Sequence, residues 1–261
     1  MVVRRAPLVA WYEQHGRHDL PWRATRDRWA VLTSEVMLHQ TQVARVERAW
    51  PEFLSRFPTP AAMAAAGPAA VIRAWDRLGY PRRARHLHDA AVVVATAGWP
   101  DDLRTLPGVG RYTAAAVRAQ ADDADVPAID VNIRRVVQRV VGTRLTERAA
   151  ENAMVRVGAP LRGRDRLLAL MDVGALVCRA RDPQCGACPL RRRCATRGPL
   201  PGEGTRRQGA FRGSFRERRG RVMAVLRAGP TPTTDLDPEA LASLVADGLA
   251  VVRGGQARLP D

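Results

Sequence analysis

Cys178, Cys185, Cys188 and Cys194 are the only cysteines of the 261-residue chain, and they crowd into one short stretch. Disulfides confined to so short a segment could not staple a chain of this size, so the set reads as a metal-binding loop. Four thiolates can wrap one compact inorganic centre, and such ligands suit iron-sulfur clusters or zinc. The spacing Cys-x6-Cys-x2-Cys-x5-Cys is asymmetric and is tightened by Pro183 and Pro189. A zinc ribbon instead sets two close pairs across a longer loop, so the spacing favours a 4Fe-4S cluster. Arg191, Arg192 and Arg193 fill the last gap, and the closed loop would present them together. Three guanidinium groups on one knuckle suit phosphate contact, although a solvated basic turn has the same composition.

Charge narrows the partner. Lys and Arg number 42 against 26 Asp and Glu, a formal +16, and no lysine occurs anywhere, so every one of these cations is arginine. A GC-rich genome accounts for that usage; the chemical consequence is that Schiff-base catalysis by a lysine amine is excluded. An excess of this size points to a polyanion. No stretch reaches the roughly 20 apolar residues of a membrane span, and the first twenty residues lack a signal-peptide core. The expectation is a soluble, cytoplasmic, monomeric protein with no membrane partner.

Apolar residues recur with helical period from Leu8 to about Leu176, and strand-like alternation is nearly absent. Helices are expected at 28–39, 43–57, 69–75, 82–97, 112–121, 133–141 and 166–177, separated by Gly and Pro punctuation. The fold class is all-α with short connections. From Gly198 to Gly220, Pro and Gly give way to arginines at 206, 207, 212, 216, 218 and 219, a composition that reads as a basic linker. Beyond it, 221–227 and 237–247 read as short helices, and 249–259, with Gly254-Gly255 at its centre, as a β-hairpin. Together they suggest a small winged-helix-like appendage.

Leu106-Pro107-Gly108-Val109-Gly110-Arg111 stands between helical segments. Glycines allow a tight turn whose N–H groups, with the following helix N-terminus, can point at a phosphate. A lone Gly-x-Gly is weak evidence, but this setting makes it a helix-hairpin-helix candidate that would grip a DNA backbone without reading sequence.

With these residues, and with Trp11-Tyr12, Leu20-Pro21-Trp22-Arg23, the run from Ser34 to Val43, Leu78-Gly79-Tyr80, Tyr112-Thr113-Ala114, Ile129 to Asn132 and Met171 to Ala175, the chain resembles the MutY-type adenine DNA glycosylases of the helix-hairpin-helix superfamily that includes endonuclease III. The resemblance covers about residues 8 to 197. It implies a six-helix barrel over 21–130, an iron-sulfur lobe built from 1–20 and 131–197, a linker over 198–220 and the appendage over 221–261. It further implies monofunctional hydrolysis of the N-glycosidic bond of adenine paired with 8-oxoguanine or guanine in double-stranded DNA.

Glu35 and Asp130 match the family's two carboxylates. The apolar neighbours Val36, Met37 and Leu38 would keep Glu35 protonated to serve adenine N7, and Asp130 would remain ionised beside the cationic sugar. Asp130 also suits a helix N-cap, and the two roles are compatible. Tyr112 stands where bifunctional relatives carry the Schiff-base lysine, and Asn132 matches an asparagine near the carboxylates. Gln40 matches the residue that fills the gap left by the flipped base, Leu106 to Arg111 the backbone clamp, and Arg28 and Trp29 the segment lining the adenine pocket. His39, Pro81 and Val131 depart from the usual glutamine, tyrosine and glycine, and the 8-oxoguanine-reading Nudix-like domain is expected to be missing. A mismatch thymine or uracil glycosylase shares the clamp, Asp130, tyrosine and cluster, but Ser34-Glu35-Val36-Met37-Leu38 belongs to the adenine branch. A non-catalytic iron-sulfur DNA-binding regulator is the other alternative, disfavoured by having both carboxylates.

Overall fold

The computed structural model describes residues 6–204 and 209–261; Arg206 and Arg207 of the expected linker lie outside them. Among the described residues helices dominate, as the periodicity requires, and no helix is long and apolar enough to cross a membrane. Packing divides the chain into two units, one from Met1–Leu32 and Gly110–Arg206, the other from Thr33–Val109 and Arg207–Asp261. This division differs from one at 20/21 and 130/131, because α6 (Arg111–Asp122) buries Ala116 and Ala119 in the same core as the segments that follow it.

In the first unit, α1 (Pro7–His15) contributes Leu8 and Tyr12 to a core shared with α7 (Val131–Val141), α8 (Glu147–Gly158) and α9 (Gly163–Asp172). Ile133, Val136 and Val137 fall on one face of α7 at the spacing that makes a helix amphipathic, and all three are fully buried. Asp130 caps α7 and Thr146 caps α8, each accepting a backbone N–H three residues on. Helix α9 runs on into a π-helical turn, Val173–Val177, that leads to the first cysteine. A buried ion-pair hub pins the N-terminal segment to it. Arg23 donates to both oxygens of Asp172 at 2.7 and 2.9 Å, and Arg17 Nε donates to Oδ1 at 2.7 Å. The segment after Cys194 is not a free linker, since Leu200 is buried and Glu203 pairs with the buried Arg139 at 2.9 Å.

The α2 helix (Arg28–Leu38) continues into the second unit, which holds α3 (Val43–Arg56), α4 (Pro60–Trp75) and α5 (Arg82–Ala97). Gly67, at φ 74°, breaks α4, and Pro68 restarts it; the sequence pattern registers only this second half. The appendage begins at Phe215 rather than at 221, because Ser214 caps α10 (Phe215–Ala228) by accepting from the Glu217 N–H. There follow β1 (Thr231–Pro232), α11 (Pro238–Ala246), β2 (Val251–Arg253) and β3 (Gln256–Arg258). The antiparallel sheet has the order β1-β3-β2, with Ala257 paired to both Thr231 and Val252.

Candidate active site and nucleic-acid interface

In the first unit, Asp130 meets two donors. Its Oδ1 accepts from the Ile133 N–H at 2.7 Å and its Oδ2 from Asn132 Nδ2 at 2.8 Å. Both bonds fix the orientation of the carboxyl group. Arg135, one helical turn along α7, donates to Asn132 Oδ1 at 2.9 Å, to the Gly174 carbonyl at 2.7 Å and to the Cys178 carbonyl at 2.7 Å. A continuous polar chain therefore runs from Asp130 to the cysteine loop. Gly174 makes it possible, since a Cβ there would stand 2.8 Å from Asn132 Cβ and 3.1 Å from its carbonyl.

All four cysteines line one cavity with Val136, Val140 and Val173. Buried Arg139 donates to Cys178 Sγ at 3.5 Å, and the Arg197 N–H donates to Cys194 Sγ at 3.4 Å. Burial pushes the Cys178 thiol up and the Cys188 thiol to about 11. Among the described residues, no three Cys, His, Asp or Glu side chains close on a point as ligands of a single ion. The donor set fits a larger thiolate-bound centre: four sulfurs, apolar walls and N–H donors that offset negative charge. Arg191, Arg192 and Arg193 form an exposed 3-10 turn beside it, and Arg193 also donates to the Arg156 carbonyl at 2.8 Å.

The hairpin residues divide by role. Leu106 and Val109 are buried, so their side chains anchor the turn, while Gly108 and Gly110 are exposed. Gly108 has φ 74°, and a Cβ there would lie 2.6 Å from His86 Cβ, so the turn demands glycine twice over. Gly110 opens α6, and nothing stands within 4 Å of where its Cβ would be. Arg111 pairs with Glu151 at 2.6 Å through an exposed side chain.

Glu35, in the second unit, is 3% exposed on α2 between buried Ser34 and Val36. Beyond the end of that helix, Gln40 is exposed on a left-handed backbone, φ 57°. Sequence reasoning missed the residue that holds this turn. The Arg83 guanidinium donates to the carbonyls of Val36, Met37 and His39 at 2.9, 2.9 and 2.5 Å. It also donates to Thr41 Oγ1 at 2.9 Å and to the carbonyls of Leu78 and Gly79 at 3.1 and 2.9 Å. One side chain thus staples the Gln40 turn to the turn bearing Tyr80, itself left-handed at φ 47° and 41% exposed. Burial and the Arg83 charge hold the half-buried His39 below its ordinary value, which favours neutral imidazole.

Tyr112 is half-buried on α6, with its hydroxyl 3.8 Å from Met171 Sδ. Trp29 is 2% exposed, and Arg28 pairs with Asp122 at 2.8 Å. Asp130, Asn132 and the cysteine loop are thus joined within one unit, while Glu35, Gln40 and the turn Leu106–Val109 belong to the other. Arg83, Arg135 and Arg139 carry no sequence signal that sets them apart from the other arginines.

Comparison with known proteins places this arrangement. Residues 33–160 match the HhH-GPD superfamily base excision DNA repair protein family. The chain is 43% identical over 273 residues to an adenine DNA glycosylase of Mycolicibacterium smegmatis, covering 95% of this chain and 93% of that protein. It is 45% identical over 270 residues to an adenine DNA glycosylase of Mycobacterium tuberculosis, covering 93% of this chain and 88% of that one. The solved structure of a thermostable thymine-DNA glycosylase superposes with a TM-score of 0.64 at 27% identity, over 72% of this chain and 92% of that one.

Proposed function

This chain belongs to the adenine DNA glycosylases of the helix-hairpin-helix base-excision repair superfamily, and from that premise we propose that it hydrolyses the N-glycosidic bond of adenine paired with guanine or 8-oxoguanine in duplex DNA. The observation that carries the reading is the Asp130 carboxylate, fixed by the Ile133 N–H and the Asn132 amide.

Adenine would leave an extruded nucleotide as Glu35 gives a proton to N7 and the base takes the bonding electrons. Burial of Glu35 supports this role, because a low-dielectric setting disfavours the charged carboxylate. The electron-poor C1′ would be stabilised by Asp130, through its field or a transient bond. Glu35, now ionised, would accept a proton from the water that attacks C1′, leaving adenine and an abasic sugar. No lysine is present to form a Schiff base, so the strand would stay uncut. Gln40 would fill the vacated stack, and the Leu106–Arg111 turn would hold the phosphates through its N–H groups, with Gly110 leaving clearance for the backbone.

Cys178, Cys185, Cys188 and Cys194 would hold a 4Fe-4S cluster. Bound there, the group supplies a covalent tie that closes the loop. Arg191, Arg192 and Arg193 would add phosphate contacts from the adjoining turn.

A panel of A:8-oxoguanine, A:G, T:G and U:G duplexes tests the substrate. Adenine release from the first two, with Glu35→Gln binding the duplex but releasing nothing, is expected. Cleavage of T:G or U:G alone would transfer the chain to thymine or uracil repair.

A further inference from the structure

The turn from Asp76 to Tyr80 is held in a conformation that its own residues resist. Asp76 and Tyr80 are non-glycine residues at φ 37° and 47°, with Gly79 between them at 79°. Such backbone persists only where its surroundings over-determine it. From inside, Trp75 Nε1 donates to the Gly79 carbonyl at 2.9 Å, and Arg83 grips Leu78 and Gly79.

From outside, the appendage grips the first residue of the same turn and the start of α5, which follows it. At its start, Arg227 of α10 pairs with Asp76 at 3.4 Å, and Arg73 Nε donates to the Arg227 carbonyl at 3.3 Å. Just past it, on the first turn of α5, Asp247 pairs with Arg82 at 3.4 Å, and Arg85 donates to the Gly248 carbonyl at 3.0 Å. Arg82 and Arg85 thus reach the appendage while Arg83, between them, reaches inward.

The appendage is poorly built to read nucleic acid. Its second helix, α11, contains no cation, and Asp235, Asp237, Glu239 and Asp247 lie along or beside it. The arginines of α10 are engaged within the chain: Arg218 with Asp237 and Glu239, Arg219 with Ser243 and Asp247, Arg221 with Glu217. A helix of that charge repels phosphate.

We propose that the C-terminal winged-helix appendage is a brace that fixes the Asp76–Arg82 turn, so that Tyr80 and the stapled Gln40 turn meet the mispaired duplex in a preset geometry. The inference rests on the reading of Gln40 as the residue that enters the duplex. The appendage acts through the turn, as a positioning element, and touches no reacting atom.

The test uses the full chain carrying Arg227→Gln and Asp247→Asn, which removes both ion pairs to the appendage without altering the charges of residues 33–109. Hydrogen exchange at the 76–83 amides is read beside single-turnover adenine release from an A:G duplex and affinity for undamaged duplex across salt. Each lost pair should raise turn opening about two- to five-fold, given what exposed ion pairs contribute. Adenine release should slow, while affinity for undamaged duplex and its salt slope stay unchanged. Arg85→Gln, which cuts the Gly248 contact from the α5 side, should raise the same exchange and guards against a variant appendage that has merely unfolded. Unchanged exchange in both variants overturns the brace, as does weakened binding to undamaged DNA with the turn still protected. Wild-type protein that releases no adenine would defeat the glycosylase reading, yet the exchange arm would still decide the brace.

Discussion

Asn132 Nδ2 lies 2.8 Å from Asp130 Oδ2, so the Asn132 amide is a donor to that carboxyl group. The opposite end of the same amide accepts from Arg135, which fixes its orientation. Asp130→Asn should keep the helix cap, since asparagine caps as well as aspartate, but lose the negative charge proposed to stabilise C1′. Adenine release should fall at least about a hundredfold, the scale of a lost electrostatic stabiliser, with the melting temperature nearly unchanged. Asn132→Ala should cost about ten- to a hundredfold, the worth of a hydrogen bond to a charged group. Single-turnover assays beside thermal melts separate the two effects; equal losses of stability and rate would mean that the cap is all Asp130 provides.

Much of this site is legible in the amino-acid pattern, and the illegible part has a common physical cause. Ile133, Val136 and Val137 announce α7 because large apolar residues repeat along one face. Helix α8 escapes notice because its buried face starts with Ala150 and Ala153, too small to stand out among charged neighbours. Glu35 is readable as buried from Val36 and Met37 beside it. Arg83, Arg135 and Arg139 are not readable, since in a chain with 42 cations nothing local distinguishes a guanidinium that staples two turns from one that faces solvent. Only the tertiary fold sorts them. The same fold turns the arginines of α10 from a nucleic-acid signal into partners for α11.

Asp172 predicts an acid limit to stability. Burial raises its pKa, but the hydrogen bonds and charge of Arg23, with those of Arg17, outweigh this and hold it below the usual 3.8. A depressed folded value means that stabilisation is complete above the unfolded pKa and is lost as pH falls through the folded one. Melts should therefore be flat in this contribution near neutrality and weaken below about pH 4. Asp172→Asn should remove this dependence and destabilise the first unit by about 3–5 kcal/mol, because Arg23 would keep a buried, unpaired charge. Urea titrations at neutral pH and at pH 3 check both parts; parallel losses in wild type and variant would exclude Asp172 as the source.

Gly174→Ala should show that close packing sets the carboxylate's surroundings. The added methyl would meet Asn132 Cβ at 2.8 Å, with both helix backbones constrained. Overpacking of this kind costs about 1–3 kcal/mol. Adenine release should fall further than stability accounts for, because the displaced residue is the one that orients Asp130. Gly110→Ala is the contrast, since no protein atom lies within 4 Å of its Cβ position. Its stability should change little while duplex affinity drops, the signature of a backbone that meets phosphate rather than protein.

Tyr112→Lys tests why this chain should leave strands intact. Wild-type protein has no lysine, so abasic product should survive until alkali or heat cuts it. Tyr112 is the second residue of α6, just after the Gly108-Val109-Gly110 turn, and packs on the same core as Asp130's helix. A lysine there would set an amine where a new aldehyde could condense with it, and loss of water would give an iminium that permits β-elimination of the 3′ phosphate. Denaturing gels run without alkali should show cut strand with the variant alone, and borohydride should trap it covalently on DNA. The exchange also removes the Met171 contact, so stability is measured in parallel. Cutting by the wild type without alkali would refute monofunctional hydrolysis, whereas a folded, adenine-releasing variant that neither cuts nor traps would place Tyr112 out of reach of C1′.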